Sequence, residues 1–99
     1  MKMPSGKEVE VLRLLVGGRE LYGLEMVKRS AALKRGTVYV TLGRMEEQGF
    51  ISGREVKEEG SPGMPRRLYR ITGLGQRALH AFDTAQALLD DGDLQPAGA

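Results

Sequence analysis

The stretch Gly36-Thr37-Val38-Tyr39-Val40-Thr41-Leu42-Gly43-Arg44-Met45-Glu46-Glu47-Gln48-Gly49-Phe50-Ile51 decides the fold. Val38, Leu42 and Met45 recur at helical spacing and face inward. Thr37, Val40, Thr41 and Arg44 then fall toward the other side. Gly49 is a natural C-terminal stop, and Phe50-Ile51 re-enters the core. The expected element is a short helix whose exposed face is small, hydroxyl-bearing and ends in arginine. Such a face suits the floor of a DNA major groove.

Upstream, Ser5-Gly6-Lys7-Glu8 matches the S-x-x-E capping box, so a helix starts near Gly6. Its buried stripe is Val9, Leu12 and Val16, joined by Leu15 and, at the margin, Val11. Gly17-Gly18 ends it. Glu20-Leu21-Tyr22 reads as one short extended pairing. A second helix runs from about Tyr22 or Gly23 to Ser30, with Leu24 and Val27 facing in. Ala31 to Arg35 is the turn into the third helix.

Downstream, Ile51 to Lys57 makes a weak strand, because Ile51 and Val56 point to opposite faces. Glu58 to Pro65 is dense in turn residues. Arg66 to Ile71 is a better strand, with Tyr69 and Ile71 on one face and Leu68 on the other. The two strands form a hairpin with a long tip. Thr72 caps a fourth helix, from about Leu74 to Leu89. Three helices followed by a hairpin make a winged helix-turn-helix. The expected fold class is therefore mainly α with a small β-hairpin. A winged helix-turn-helix occupies residues 5–72, one C-terminal dimerisation helix 73–91, and a disordered tail 92–99.

The fourth helix carries two adjoining stripes. Leu74, Ala78, Ala81, Ala85 and Leu88 follow 4-3-4-3 spacing, and Leu79, Phe82, Gln86 and Leu89 lie beside them. One side can cover the domain's own core and the other a second copy. Leu74, Ala78, Phe82, Ala85 and Leu89 are the expected homodimer contacts. The alternative is that this helix only closes its own monomer.

Ninety-nine residues make one small domain, and a chain this short often gains surface burial by pairing. The absence of cysteine excludes disulfides and thiolate-held metals. No apolar run approaches the roughly 18–20 residues that cross a membrane, and no signal-peptide pattern opens the chain. A cytoplasmic protein without membrane contact is expected. All 15 lysines and arginines and nine of the 13 acidic residues lie in residues 1–77, a region of charge +6. Residues 78–99 hold four aspartates and no cation. The basic body can attract phosphates, or it can be plain solvated charge.

Catalysis has no support. His80 is the only histidine and has no metal-ligand neighbours. Ser5, Ser30, Ser52 and Ser61 lack a glycine elbow, and no glycine run forms a phosphate-binding loop. No enzyme activity, cofactor or metal is expected.

Gly36-Thr37-Val38-Tyr39, Thr41-Leu42, Arg44-Met45-Glu46 and Gly49 together resemble the signature of PadR-like transcriptional regulators. Tyr22-Gly23-Leu24-Glu25 is similar to that family's second-helix opening. Arg66 to Thr72, with Gly75 following, is similar to its second wing strand and the start of its last helix. The likeness covers roughly residues 9–80. It implies a dimeric DNA-binding repressor, often released from its operator by a small molecule. Val40 replaces the family's usual proline, and the turn Ala31–Arg35 is shorter than in many members. The last helix has no tryptophan and only Phe82 as an aromatic. No residue therefore supports the aromatic effector pocket of drug-binding members.

The expected partner is double-stranded DNA. Thr37, Val40, Thr41 and Arg44 would face the groove. Arginine pairs with guanine O6 and N7, and threonine touches a base edge or a thymine methyl. Alternatively, Arg44 pairs with Glu47 on its own helix. Tyr39 can donate its hydroxyl to a phosphate or simply pack. Lys34 and Arg35 sit where a positive helix end already favours an anion, and Gly36 allows close backbone approach. Arg66 and Arg67, at the wing base, can touch phosphate or minor groove, unless Glu55, Glu58 and Glu59 neutralise them. The competing function is a winged-helix protein-interaction adaptor without DNA binding, suggested by the wing glutamates and acidic tail.

Overall fold

The computed structural model describes residues 2–57 and 66–94, the last four through their backbone. Its elements are α1 (Gly6–Leu15), β1 (Leu21–Tyr22), α2 (Gly23–Arg29), α3 (Val38–Gln48), β2 (Ile51–Val56), β3 (Arg66–Ile71) and α4 (Gly73–Leu94). Helices precede a hairpin and a last helix follows, which is a winged helix. The turn expected at Glu58–Pro65 lies outside the described residues, as do residues 95–99 of the expected tail.

Each helix forms for a local reason. At α1, the Ser5 backbone N–H donates to Glu8 Oε1 at 2.8 Å, and Ser5 Oγ accepts from the Glu8 N–H at 3.4 Å. This capping box satisfies otherwise free N–H groups and explains why Glu8 can be buried. Val9, Val11, Leu12 and Leu15 fill the core. Val16, expected in that stripe, is instead 49% exposed. The helix stops at Leu15, and Val16 is extended at ψ 145°. Gly17 and Gly18 then take φ of +89° and +83°, which carries the chain off the helical path.

The inward face of α2 also differs from expectation. Leu24 is 39% exposed, whereas Met26 is wholly buried and Val27 packs only partly against the core. The buried positions are Gly23, Met26 and Ser30, a three-then-four spacing one residue out of phase with Leu24 and Val27. Ser30 is buried because its hydroxyl donates to Glu10 Oε1 on α1 at 2.8 Å.

On α3, Val38, Leu42 and Met45 are buried as the spacing requires. Gly49 ends it in the left-handed region at φ +82°, with its N–H shared between the Glu46 and Met45 carbonyls. Phe50 and Ile51 then enter the core.

The sheet order is β1-β3-β2, all pairs antiparallel. Leu21 lies opposite Tyr69, and Ile51 opposite Ile71. All four side chains are buried against the helices.

The start of α4 is stitched to the end of α3. Thr72 Oγ accepts from the Gly75 N–H at 3.0 Å and donates to the Gly49 carbonyl at 2.5 Å. The Thr72 N–H donates to the Phe50 carbonyl at 3.1 Å. Gly75 permits this approach, since a Cβ there would lie 2.0 Å from the Phe50 carbonyl oxygen. Farther along, Arg13 on α1 forms a two-point ion pair with Asp83 at 2.6 and 3.2 Å. The Arg13 hydrogen bonds hold the Asp83 carboxyl below its ordinary range. The helix runs to Leu94, past its expected end at Leu89 and into the expected tail. Gly92 alone costs a helix only about 1 kcal/mol and does not stop it.

Candidate nucleic-acid interface

Burying one side of α3 leaves the other outward. Lys34, Arg35, Gly36, Thr37 and Arg44 are exposed, and Val40 is 62% exposed. Thr37 is the N-cap, but its hydroxyl makes no cap bond. The Val38 N–H already donates to the Lys34 carbonyl at 2.9 Å. Among the described residues the next two, of Tyr39 and Val40, are left for an outside acceptor. Thr41 is half-buried, and its hydroxyl donates back to the Thr37 carbonyl at 3.3 Å. That bond occupies its proton and leaves its oxygen as an acceptor. Among the described residues Arg44 has no ion-pair partner, so the pairing with Glu47 does not form there. Gly36 has no positive φ, and a Cβ on it would meet open space. Nothing within the described chain demands glycine at that position.

Tyr39 packs on its own domain and also stays accessible. Its ring lies on α2, where a Cβ added to Gly23 would meet Tyr39 Cε1 at 2.8 Å. About half of its surface remains exposed. Tyr22, Tyr39 and Tyr69 line an open groove of about 690 Å³ between α2, α3 and the wing, rimmed by Lys28 and Arg66. The Arg66 guanidinium stands 5.3 Å from the centre of the Tyr22 ring. This stacking holds its cation at the groove edge.

Arg67 is placed differently from Arg66. Its Nε and Nη2 donate to the two carboxylate oxygens of Glu46 on α3, at 2.8 and 2.7 Å. These bonds hold the Glu46 carboxyl below its usual range, with the Gly53 backbone adding a smaller effect. Glu55, its cross-strand neighbour, is therefore not the residue that neutralises Arg67. Glu58 and Glu59 lie outside the described residues. Sequence reading missed both Glu46 and Gly53. A glycine in mid-strand was the available signal, because it marks a close approach by something else.

The residues expected at a dimer contact divide by depth. Ala78 is fully buried within its own chain, which corrects its assignment to an interface. Small and near the start of α4, it packs into the monomer core. Leu74 and Phe82 pack partly against that core. Ala85 is half-buried, and Leu88 and Leu89 are 66% and 64% exposed. His80 is exposed, and among the described residues no acidic or histidine cluster could hold a metal ion. No described helix is long and apolar enough to cross a membrane.

Comparison with known proteins gives this geometry a family. The model of the transcriptional regulator PadR-like family matches residues 11–81. A PadR family transcription regulator from hypervirulent Clostridium difficile R20291 is 26% identical, with 85% of this chain and 90% of that one aligned, at a TM-score of 0.71. One from Eggerthella lenta DSM 2243 is 28% identical over 87% of this chain and 76% of its own, at 0.73. The Bacillus subtilis PadR structure in complex with operator DNA shares the fold at 23% identity and a TM-score of 0.69, covering 78% of this chain and 46% of that one. No curated protein matches the chain in sequence. With more than half of its length matched, the chain belongs to the PadR-like family of transcriptional regulators.

Proposed function

We propose that the chain is a homodimeric DNA-binding repressor of the cytoplasm that lays α3 in the major groove. One observation carries this reading. The entry turn and outward face of α3 present Lys34, Arg35, Thr37, Val40 and Arg44, beside the Tyr39 and Val40 N–H groups that the Thr37 side chain leaves uncapped. Lys34, Arg35, Gly36 and the Tyr39 hydroxyl hold phosphates, and the open space at Gly36 suits close backbone approach. Val40 and Thr41 meet base edges or thymine methyls, and Arg44 pairs with guanine. Arg66, stacked on Tyr22, touches the sugar-phosphate backbone flanking the groove. The Bacillus subtilis PadR captured on operator DNA supports the reading through its shared fold.

Two copies join through half-buried Ala85 and through Leu88 and Leu89 of α4, whose side chains the monomer leaves largely uncovered. Two α3 helices then address half-sites about 34–36 Å apart, or a multiple of that. A dimer clamped across a promoter excludes other proteins from it, which is repression. The test is retention of the protein on immobilised duplex DNA. Wild type is expected to bind and to elute with salt, while Lys34→Glu with Arg35→Glu is not retained. Folded wild type that fails to bind any duplex would overturn the reading and leave an interaction adaptor.

A further inference from the structure

Among the described residues, Arg67 is the one wing-base cation in an ion pair with α3. Three elements meet at this point: α3 supplies Glu46, β3 supplies Arg67, and β2 supplies Gly53. The ion pair is two-pronged, at 2.8 and 2.7 Å. A fork of this kind fixes orientation as well as distance. Gly53 is the floor that makes room for it. A Cβ there would lie 2.7 Å from Arg67 Nε, 3.1 Å from Glu46 Oε1 and 3.1 Å from the Tyr69 ring.

We propose that Glu46, Arg67 and Gly53 form a latch that fixes the wing's angle to α3, so that Glu46, an acidic residue, strengthens specific DNA binding. This rests on the proposed reading of DNA by α3. On charge alone Glu46 should oppose a polyanion. It persists on the reading helix because its charge is spent on Arg67 and its geometry is spent on alignment. Arg67 is accordingly a positioning residue and not a phosphate contact. The pair is partly solvated, with side chains 40% and 24% exposed. Such pairs add little to global stability. The latch therefore acts on the relative placement of two elements, where a shift of one ångström separates a made base contact from a lost one.

The sign of one substitution separates the possibilities. The probes are a duplex enriched from a random pool by the wild-type protein and a duplex of unrelated sequence, each titrated across a salt series. Glu46→Gln removes a negative charge, Arg67→Lys keeps the cation but loses the fork, and Gly53→Ala changes no charge. All three are expected to weaken binding to the enriched duplex about fivefold, the scale of coupling within one ion-pair network. Binding to the unrelated duplex, the slope of affinity against salt and the thermal midpoint should stay near wild type. The latch is overturned if Glu46→Gln tightens binding to both duplexes and Arg67→Lys behaves as wild type. A fall of about 0.9 in the salt slope on Arg67→Gln would likewise make Arg67 a phosphate contact. Wild type that binds neither duplex refutes the DNA reading itself, an outcome distinct from both.

Discussion

Helices α3 and α4 are both amphipathic, and they differ in what the monomer leaves uncovered. The apolar stripe of α3 is consumed entirely by its own chain, in Val38, Leu42 and Met45. What remains outside is mostly polar, with Thr41, Arg44 and Glu47 on the helix and Lys34 and Arg35 in the turn that leads into it. The first half of α4 is consumed in the same way, through Ala78 and Leu79, but Leu88 and Leu89 stay bare. The uncovered remainder of a helix indicates the chemistry of its partner. A polar, basic remainder fits a polyanion, and an apolar one fits another apolar surface. One small fold thus separates its two proposed contacts onto two helices joined at Thr72 and Gly75.

The contrast breaks most visibly if core and remainder are exchanged. Leu42→Ala should cost about 2–5 kcal/mol in denaturant titration, whatever the protein concentration. Leu88→Ala should cost no more than about 0.5 kcal/mol in the separated monomer. Equal losses would show that α4 is as deeply buried as α3. Leu88→Glu with Leu89→Glu should convert dimer to monomer in light scattering. Affinity for a duplex with two half-sites should fall about 100-fold, with single half-site binding unchanged. An unaltered molar mass would move the dimer contact elsewhere.

The joint between the two helices gives the next effect. Gly75→Ala should destabilise the protein by about 1–3 kcal/mol, because its new methyl group meets the Phe50 backbone and not a side chain that can swing away. Unchanged unfolding would mean that α4 can slide on α3. Arg44→Ala should lower discrimination at one base position by about 1–3 kcal/mol and leave non-specific binding in place. Equal loss on all sequences would recast Arg44 as a phosphate contact. The smallest effect is in acid. Arg13 holds Asp83, and Arg67 holds Glu46, below their ordinary values. Carboxyls lowered in the folded state stabilise it above their unfolded values, about 4, and lose that contribution as pH falls through the folded values. Both pairs are partly exposed, so stability should be flat from pH 8 to 5 and decline only below about pH 4, measured by thermal unfolding.

Much of this was legible in the residues. The capping box at Ser5-Glu8, the stop at Gly49 and the period of Val38, Leu42 and Met45 are local signals, and each marks its element. The errors have local causes too. Val16 continues the helical period on paper, but the helix stops at Leu15 and Val16 is extended on the way into the Gly17-Gly18 turn. On a helix as short as α2, two apolar residues could not fix the phase. Buried Gly23 and Ser30 carried the rest of the inward face, and neither looks like a core residue in a sequence. The outer residues of α3, Val40, Thr41 and Arg44, were readable as a set because they lie on one helix. The Glu46–Arg67 pair was not, since its partners are far apart in sequence and meet only when the wing folds back on α3.

The central claim is that two outward α3 faces read DNA as a pair, and selection of bound duplexes from a random pool at about 0.1 M salt tests it most directly, since phosphate contacts still contribute there. The account predicts enrichment of a two-fold-related sequence with half-sites about 34–36 Å, or a multiple of that, apart. Recovery of DNA without any enriched sequence, or no recovery from folded protein, would contradict it.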